Sequence, residues 1–133
     1  MKKQRIHLEY ELHSSSPNII WPLISNEAGL QKWIANTVTR EGDKLTFTWG
    51  EEWSHHEQRT ATIVEEKKMK LIRLEWDDEA GEEDNFWQME MVRSDITNDY
   101  ILSVIDHAVP EDLDWLHDIW DDNLYRLHQS TGL

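Results

Sequence analysis

The chain has 133 residues and no cysteine, and its 13 basic against 27 acidic side chains give a formal charge of −14. That length fits one domain, and roughly two-thirds of the unfolded surface leaves water on folding at this size, so no staple is required. The missing thiols exclude disulfides, thiolate metal sites and a cysteine nucleophile, while the acidity argues against nucleic acid and anionic membranes as partners, since both need a basic face.

Residues 5–13 alternate, with Ile6, Leu8, Tyr10 and Leu12 on one side and His7, Glu9, Glu11 and His13 on the other, which predicts a half-buried strand. Ser14, Ser15 and Ser16 end it, and Pro17 takes an early helical position behind a serine cap. Ile19, Ile20, Leu23 and Ile24 make a short helix that Pro22 bends or limits. Asn26 caps a second short helix, Glu27 to Ile34, bearing Leu30 and Trp33. Strands follow: Thr37 to Arg40, a tight turn at Glu41-Gly42-Asp43, then Lys44 to Trp49 with Leu45, Phe47 and Trp49 on one face. Trp53 to Glu65 is a long strand, and Glu66-Lys67-Lys68 turns the chain into Met69 to Trp76. The acidic stretch Asp77 to Asp84, with Gly81 inside, is too polar to bury and is expected to be the most mobile connection. Phe86 to Ser94 and Tyr100 to His107 complete the strands.

The chain closes on Pro110 to Leu133, where Leu113, Leu116, Trp120, Leu124 and Leu127 recur at helical steps and Ile119 widens the stripe. Such a face needs an apolar partner, and the preceding strands supply a sheet. The expected architecture is α+β: a curved antiparallel sheet of about six to seven strands, two short helices after the first strand, and one long helix across the concave face. No repeat or linker divides residues 1–133. No apolar run has the length of a membrane span, and MKKQRIHLEYEL lacks a secretory core. A cytoplasmic protein without membrane insertion is expected.

Three segments carry a family resemblance: SSSPNIIWPLISNEAGLQKWI, with two short helices ending at Trp33; LIRLEWDDE, a mid-sheet strand ending at Trp76; and the closing WDDNLYRLHQSTGL. With this order of elements, from about residue 5 to 130, the chain resembles the helix-grip (START-like, Bet v 1-like) superfamily. The match is nearest to the branch of the Hsp90-ATPase activators and their bacterial relatives. The resemblance implies a helix-grip fold with motifs that are structural rather than catalytic, and, by analogy only, a chaperone-activator role.

If the sheet curls around the last helix, the concave face takes Phe47 and Trp49, then Ile72, Leu74 and Trp76, then Trp87, Met89 and Met91, then Ile101 and Ile105. Leu116, Trp120 and Leu124 face them from the helix. Rigid aromatics and adaptable methionines suit a small apolar or amphipathic ligand, lipid-like or aromatic. The opposing expectation is that eight tryptophans plug the space. Ser103, on the face of Ile101 and Ile105, and Asn123, beside Trp120 and Leu124, are the polar groups available to orient a ligand, while Gln88 and Glu90 fall on the solvated side.

His55 and Glu57 have the i, i+2 spacing of strand metal ligands, but no third ligand is nominated and exposed strand histidines are the expectation. The acids from Asp77 to Asp84 lack an EF-hand pattern. No nucleophile elbow, phosphate loop or HExxH motif is present, so neither a catalytic residue, a metal nor a cofactor is assigned. The reading is non-enzymatic binding of a small molecule between sheet and helix. The alternative is a protein-interaction or homodimerising module with a filled cavity, using the row His7, Glu9, Glu11 and His13, or exposed Trp53, Trp115 or Tyr125, with Trp115 foremost because it lies off the helix stripe. A cavity above about 300 Å³ favours the first reading. A pocket also implies that Trp120→Ala alters ligand affinity more than folding.

Overall fold

The computed structural model describes residues 2–50 and 56–133. The elements are β1 (Gln4–Glu11), α1 (Pro17–Ser25), α2 (Glu27–Leu30), β2 (Thr37–Glu41), β3 (Lys44–Trp49), β4 (Glu57–Lys67), β5 (Leu71–Trp76), β6 (Phe86–Arg93), β7 (Tyr100–Ala108) and α3 (Leu113–Thr131), with single 3₁₀ turns at Asp77–Glu79 and Pro110–Asp112. All seven strands form one antiparallel sheet in the order β1-β7-β6-β5-β4-β3-β2. β1 and β2 are the two edges, so α1 and α2 must carry the chain across the whole sheet, and every other connection between strands is a hairpin. The structure is the α+β helix-grip arrangement expected from the sequence. No described helix is long and apolar enough to cross a membrane.

Residues directly opposite in a ladder share a face, so the register defines the concave side. Ile6, Leu8 and Tyr10 lie opposite Asp106, Val104 and Leu102; Met89 and Met91 oppose Val104 and Leu102 from the other neighbour. The same face continues through Ile72 and Leu74 against Met89 and Trp87, Trp76 against Ala61, and Phe47 and Trp49 against Arg59 and Glu57. The phase expected for β1, β3, β5 and β6 is the one observed. In β7 it is reversed: Leu102, Val104 and Asp106 face the helices, while Ile101, Ser103 and Ile105 face the opposite, convex side. Both faces of this strand carry aliphatic residues, so alternation alone does not fix its phase, and Asp106 at the end of the inward set reads as solvated.

The two short helices and the turn after them fill one end of the concave face with Ile20, Ile24, Leu30 and Trp33, each at most 1% exposed. Asn26 does cap α2, its Oδ1 accepting from the Gly29 amide at 2.8 Å, whereas Ser16 precedes α1 without a side-chain cap bond. α2 ends at Leu30 rather than Ile34. Gly29 sits so close to α1 that an added Cβ would lie 1.9 Å from the Pro22 carbonyl oxygen.

The start of the acidic turn after β5 carries side-chain bonds to β3 and β4. Asp77 accepts from Lys44 Nζ at 2.7 Å and Thr62 Oγ1 at 2.6 Å, and the Arg59 guanidinium donates to both oxygens of Asp78 at 3.0 and 2.8 Å. These bonds hold both carboxyls below their ordinary range. Gln88 is buried instead of solvated, because the Arg73 Nε donates to its Oε1 at 2.9 Å and covers it on the convex face.

Candidate functional site

The concave face is filled at the end under α1 and α2 and unfilled at the other. There, where β1, β4 and β6 begin and β3, β5 and β7 end, a cleft of about 580 Å³ opens between the sheet and the first half of α3. Its sheet wall carries Trp49, Arg59, Trp76, Trp87 and Asp106; α3 contributes Trp115, Leu116, Ile119, Trp120, Asn123 and Arg126. Lys3, Glu79, Glu82 and Asp84 border it from the strand ends and the acidic turn.

The aromatic wall is continuous. Trp76 stacks on Trp87 with centroids 5.3 Å apart, Trp49 stands 6.4 Å from Trp76, and Trp120 lies 6.1 Å from both Trp87 and Trp33. Phe47 lies behind this row, 5.6 to 6.1 Å from Trp49, Trp76 and Trp87. Indole N–H groups normally find an acceptor when buried. Trp33 donates to the Leu23 carbonyl and Trp49 to the Ile34 carbonyl, both at 2.8 Å, and Trp120 donates to Asp106 Oδ2 at 2.9 Å. The Trp87 Nε1 is buried with no acceptor, the one such side-chain atom among the described residues.

Asp106 is the central polar group. Its Oδ1 accepts from the His107 amide at 2.8 Å and its Oδ2 holds Trp120. Burial pushes its carboxyl up to about 6, against the pull of these two N–H donors. Arg59 lies 4.0 Å over the Trp76 ring and also reaches Glu79 at 3.2 Å, while Lys3 donates to Glu79 at 2.7 Å. These contacts clamp the acidic turn onto the mouth of the cleft.

Of the residues nominated from sequence, Trp49, Trp76, Trp87, Leu116, Trp120 and Asn123 come together at the cleft. Phe47, Ile72, Leu74, Met89 and Met91 share their face but lie in the packed core behind it, and Leu124 packs half-buried against that core. Asn123 is also committed internally, its Oδ1 accepting from Arg126 Nη2. Ser103 is on the wrong side of the sheet, where it lies 2.7 Å from His7 Nε2. Sequence reasoning missed Arg59 and Asp106, both charged residues on strands, because a charge within a strand reads as solvated. The signal available was Trp120: a buried indole N–H on the helix requires an acceptor on the sheet.

His7, Ser103 and Glu9 do not form a catalytic relay. Glu9 Oε1 approaches the same ring nitrogen as Ser103, at 3.6 Å, whereas a relay needs the acid on the other nitrogen. Among the described residues no group of three His, Asp or Glu side chains is arranged to hold a metal ion. His55 and Trp53 lie outside the described residues. Trp115 is 62% exposed at the border of the cleft, and Tyr125, 65% exposed, points outward on α3.

Solved structures share this architecture across nearly the whole chain. BfR322 from Bacteroides fragilis is 35% identical, with a TM-score of 0.66 over 100% of this chain and 94% of its own. An AHSA1-like protein from Aeromonas hydrophila superposes with a TM-score of 0.72 at 10% identity, covering 97% and 94% of the two chains. The Aha1 dimer from Colwellia psychrerythraea does so at 0.67 and 13% identity, covering 99% and 98%. No curated protein sequence matches the chain. The profile of the START-like superfamily domain matches residues 1–133, and the chain belongs to that superfamily.

Proposed function

We propose that this domain binds a small hydrophobic or amphipathic molecule, without chemical transformation, in the cleft between its sheet and α3. The observation that carries the reading is the cleft of about 580 Å³ itself, walled by stacked tryptophans and holding one half-buried carboxyl. Its volume falls in the range of small-molecule sites, and its mix of aromatic surface with few buried polar groups is what such sites use. An apolar body laid on Trp76, Trp87 and Trp120 gains about 0.8 kcal/mol per methylene removed from water. Membership in the START-like superfamily agrees with a binding role.

The test is fluorescence titration with N-phenyl-1-naphthylamine, a neutral probe that brightens in apolar surroundings, together with native mass spectrometry of freshly purified protein. The reading expects saturable binding of one probe per chain, displaced by any small molecule that co-purifies. Absence of saturation would contradict it. A self-association reading has one specific support, the exposed Trp115 and Tyr125 on α3 in a fold whose relatives include a dimer. Light scattering of the wild type and Trp115→Ser decides that point, since an α3-mediated dimer requires the variant to run as a monomer.

A further inference from the structure

The cleft has a charge pattern as well as a shape. Seven carboxylate side chains border it against three cationic ones, Lys3, Arg59 and Arg126. Those three cations are already engaged: Lys3 with Glu79 at 2.7 Å, Arg59 with Asp78 at 2.8 Å, and Arg126 with Asn123 and, at 3.3 Å, with the Trp33 carbonyl. Asp106 is different. It stands half-buried in the cleft wall against Trp120, yet no basic nitrogen lies within 4 Å of it among the described residues, and each of its oxygens accepts one neutral N–H. A carboxylate has about four acceptor positions, so two remain, and a carboxylate that has lost part of its hydration gains from a counter-charge placed against it.

Building on the ligand-binding reading above, we infer that the cleft selects an amphipathic amine, with its apolar body on Trp76, Trp87 and Trp120 and its protonated amine against the Asp106 carboxyl. An ammonium gives Asp106 a direct counter-charge, where the protein supplies only the more distant Arg59. The indole faces favour a cation as well, as Arg59 over Trp76 at 4.0 Å already illustrates. A ligand with an anionic end meets the opposite situation. The acidic border, seven carboxylates against three cations, repels it, so a free fatty acid is disfavoured in a cleft whose apolar walls would otherwise suit it.

Isothermal titration with decylamine, decan-1-ol and decanoate at pH 7.5 tests this with one chain length and three end groups. The amine is expected to bind at least tenfold tighter than the alcohol, with decanoate weakest. Asp106→Asn is expected to abolish that difference, amine and alcohol then binding the variant alike. Amine and alcohol binding the wild type equally, decanoate binding best, or an amine preference that survives in Asp106→Asn would each overturn the inference while leaving the ligand-binding reading in place. Failure of all three compounds to bind would overturn both. The indole N–H resonances of the wild type provide a readout independent of the variant's folding. Decylamine must shift the Trp120 signal more than decan-1-ol does, and equal or absent shifts contradict a head group at Asp106.

Discussion

Asp106 sets the pH behaviour expected at the residue scale. Its carboxyl titrates near 6 in the folded protein against an ordinary value of 3.8, and burial is the main cause. The folded state therefore holds this proton more tightly than the unfolded chain. The corresponding stabilisation is fully present below about pH 4 and is lost as pH rises through 6. The charges that act on the group are Glu79 after β5 and Arg59 on β4, and the other charged residues of the cleft are Lys3, Glu57, Glu82, Asp84, Asp112, Asp122 and Arg126. Ionisation of Asp106 is expected to cost about 2 kcal/mol between pH 4 and pH 8. Urea denaturation of wild type and Asp106→Asn at pH 5 and pH 8 isolates it: the wild type loses more stability on going to pH 8 than the variant does. Equal losses would place the proton elsewhere. The same residue shows why site chemistry was hard to read in the sequence. Aspartate in a strand is ordinarily solvated, and the bond that ties this one into the cleft wall comes from Trp120, 14 positions away.

At the scale of elements, the two short helices and the long one do different jobs. α1 and α2 close one end of the sheet through a contact that admits no side chain at Gly29. Gly29→Ala forces Cβ onto the Pro22 backbone and is expected to destabilise the fold by about 3 kcal/mol, read as a lowered denaturation midpoint. α3 holds its buried stripe of Leu116, Trp120 and Leu127 against the sheet while leaving Trp115 exposed. Trp120 is 3% exposed between Trp33 and Trp87, so Trp120→Ala removes core packing and is expected to cost about 3–5 kcal/mol. That corrects the expectation that its loss would alter affinity more than folding. Trp115→Ala is the variant with the intended property. Its exposed ring borders the cleft, so stability should change within about 0.5 kcal/mol while affinity for a bound probe falls. The helix stripe was legible because its period is unambiguous. The phase of β7 was not, because Ile101 and Ile105 on one side mirror Leu102 and Val104 on the other, and only pairing with β1 and β6 chooses between them.

For the whole molecule, the tryptophans both plug and line the concave face. Trp33 is buried with the helices at the closed end, Phe47 and Leu74 form the floor, and Trp49, Trp76, Trp87 and Trp120 wall the open end. The order of elements and most of the inward-facing set could be read from alternation and turn residues, because a sheet buried on one side writes its phase into each strand. The position of the empty volume could not. It depends on how far α1 and α2 reach along the sheet, and on the ion pairs of Lys3 and Arg59 that draw the acidic turn to the cleft mouth. The claim that this open end is a binding site is tested most directly by a proton–nitrogen NMR titration of the indole N–H groups with decan-1-ol. Binding in the cleft predicts saturable shifts of Trp76, Trp87 and Trp120 at one ligand per chain, with Trp21 on α1 unmoved. Absence of shifts at Trp76, Trp87 and Trp120, or shifts growing without saturation, would contradict it.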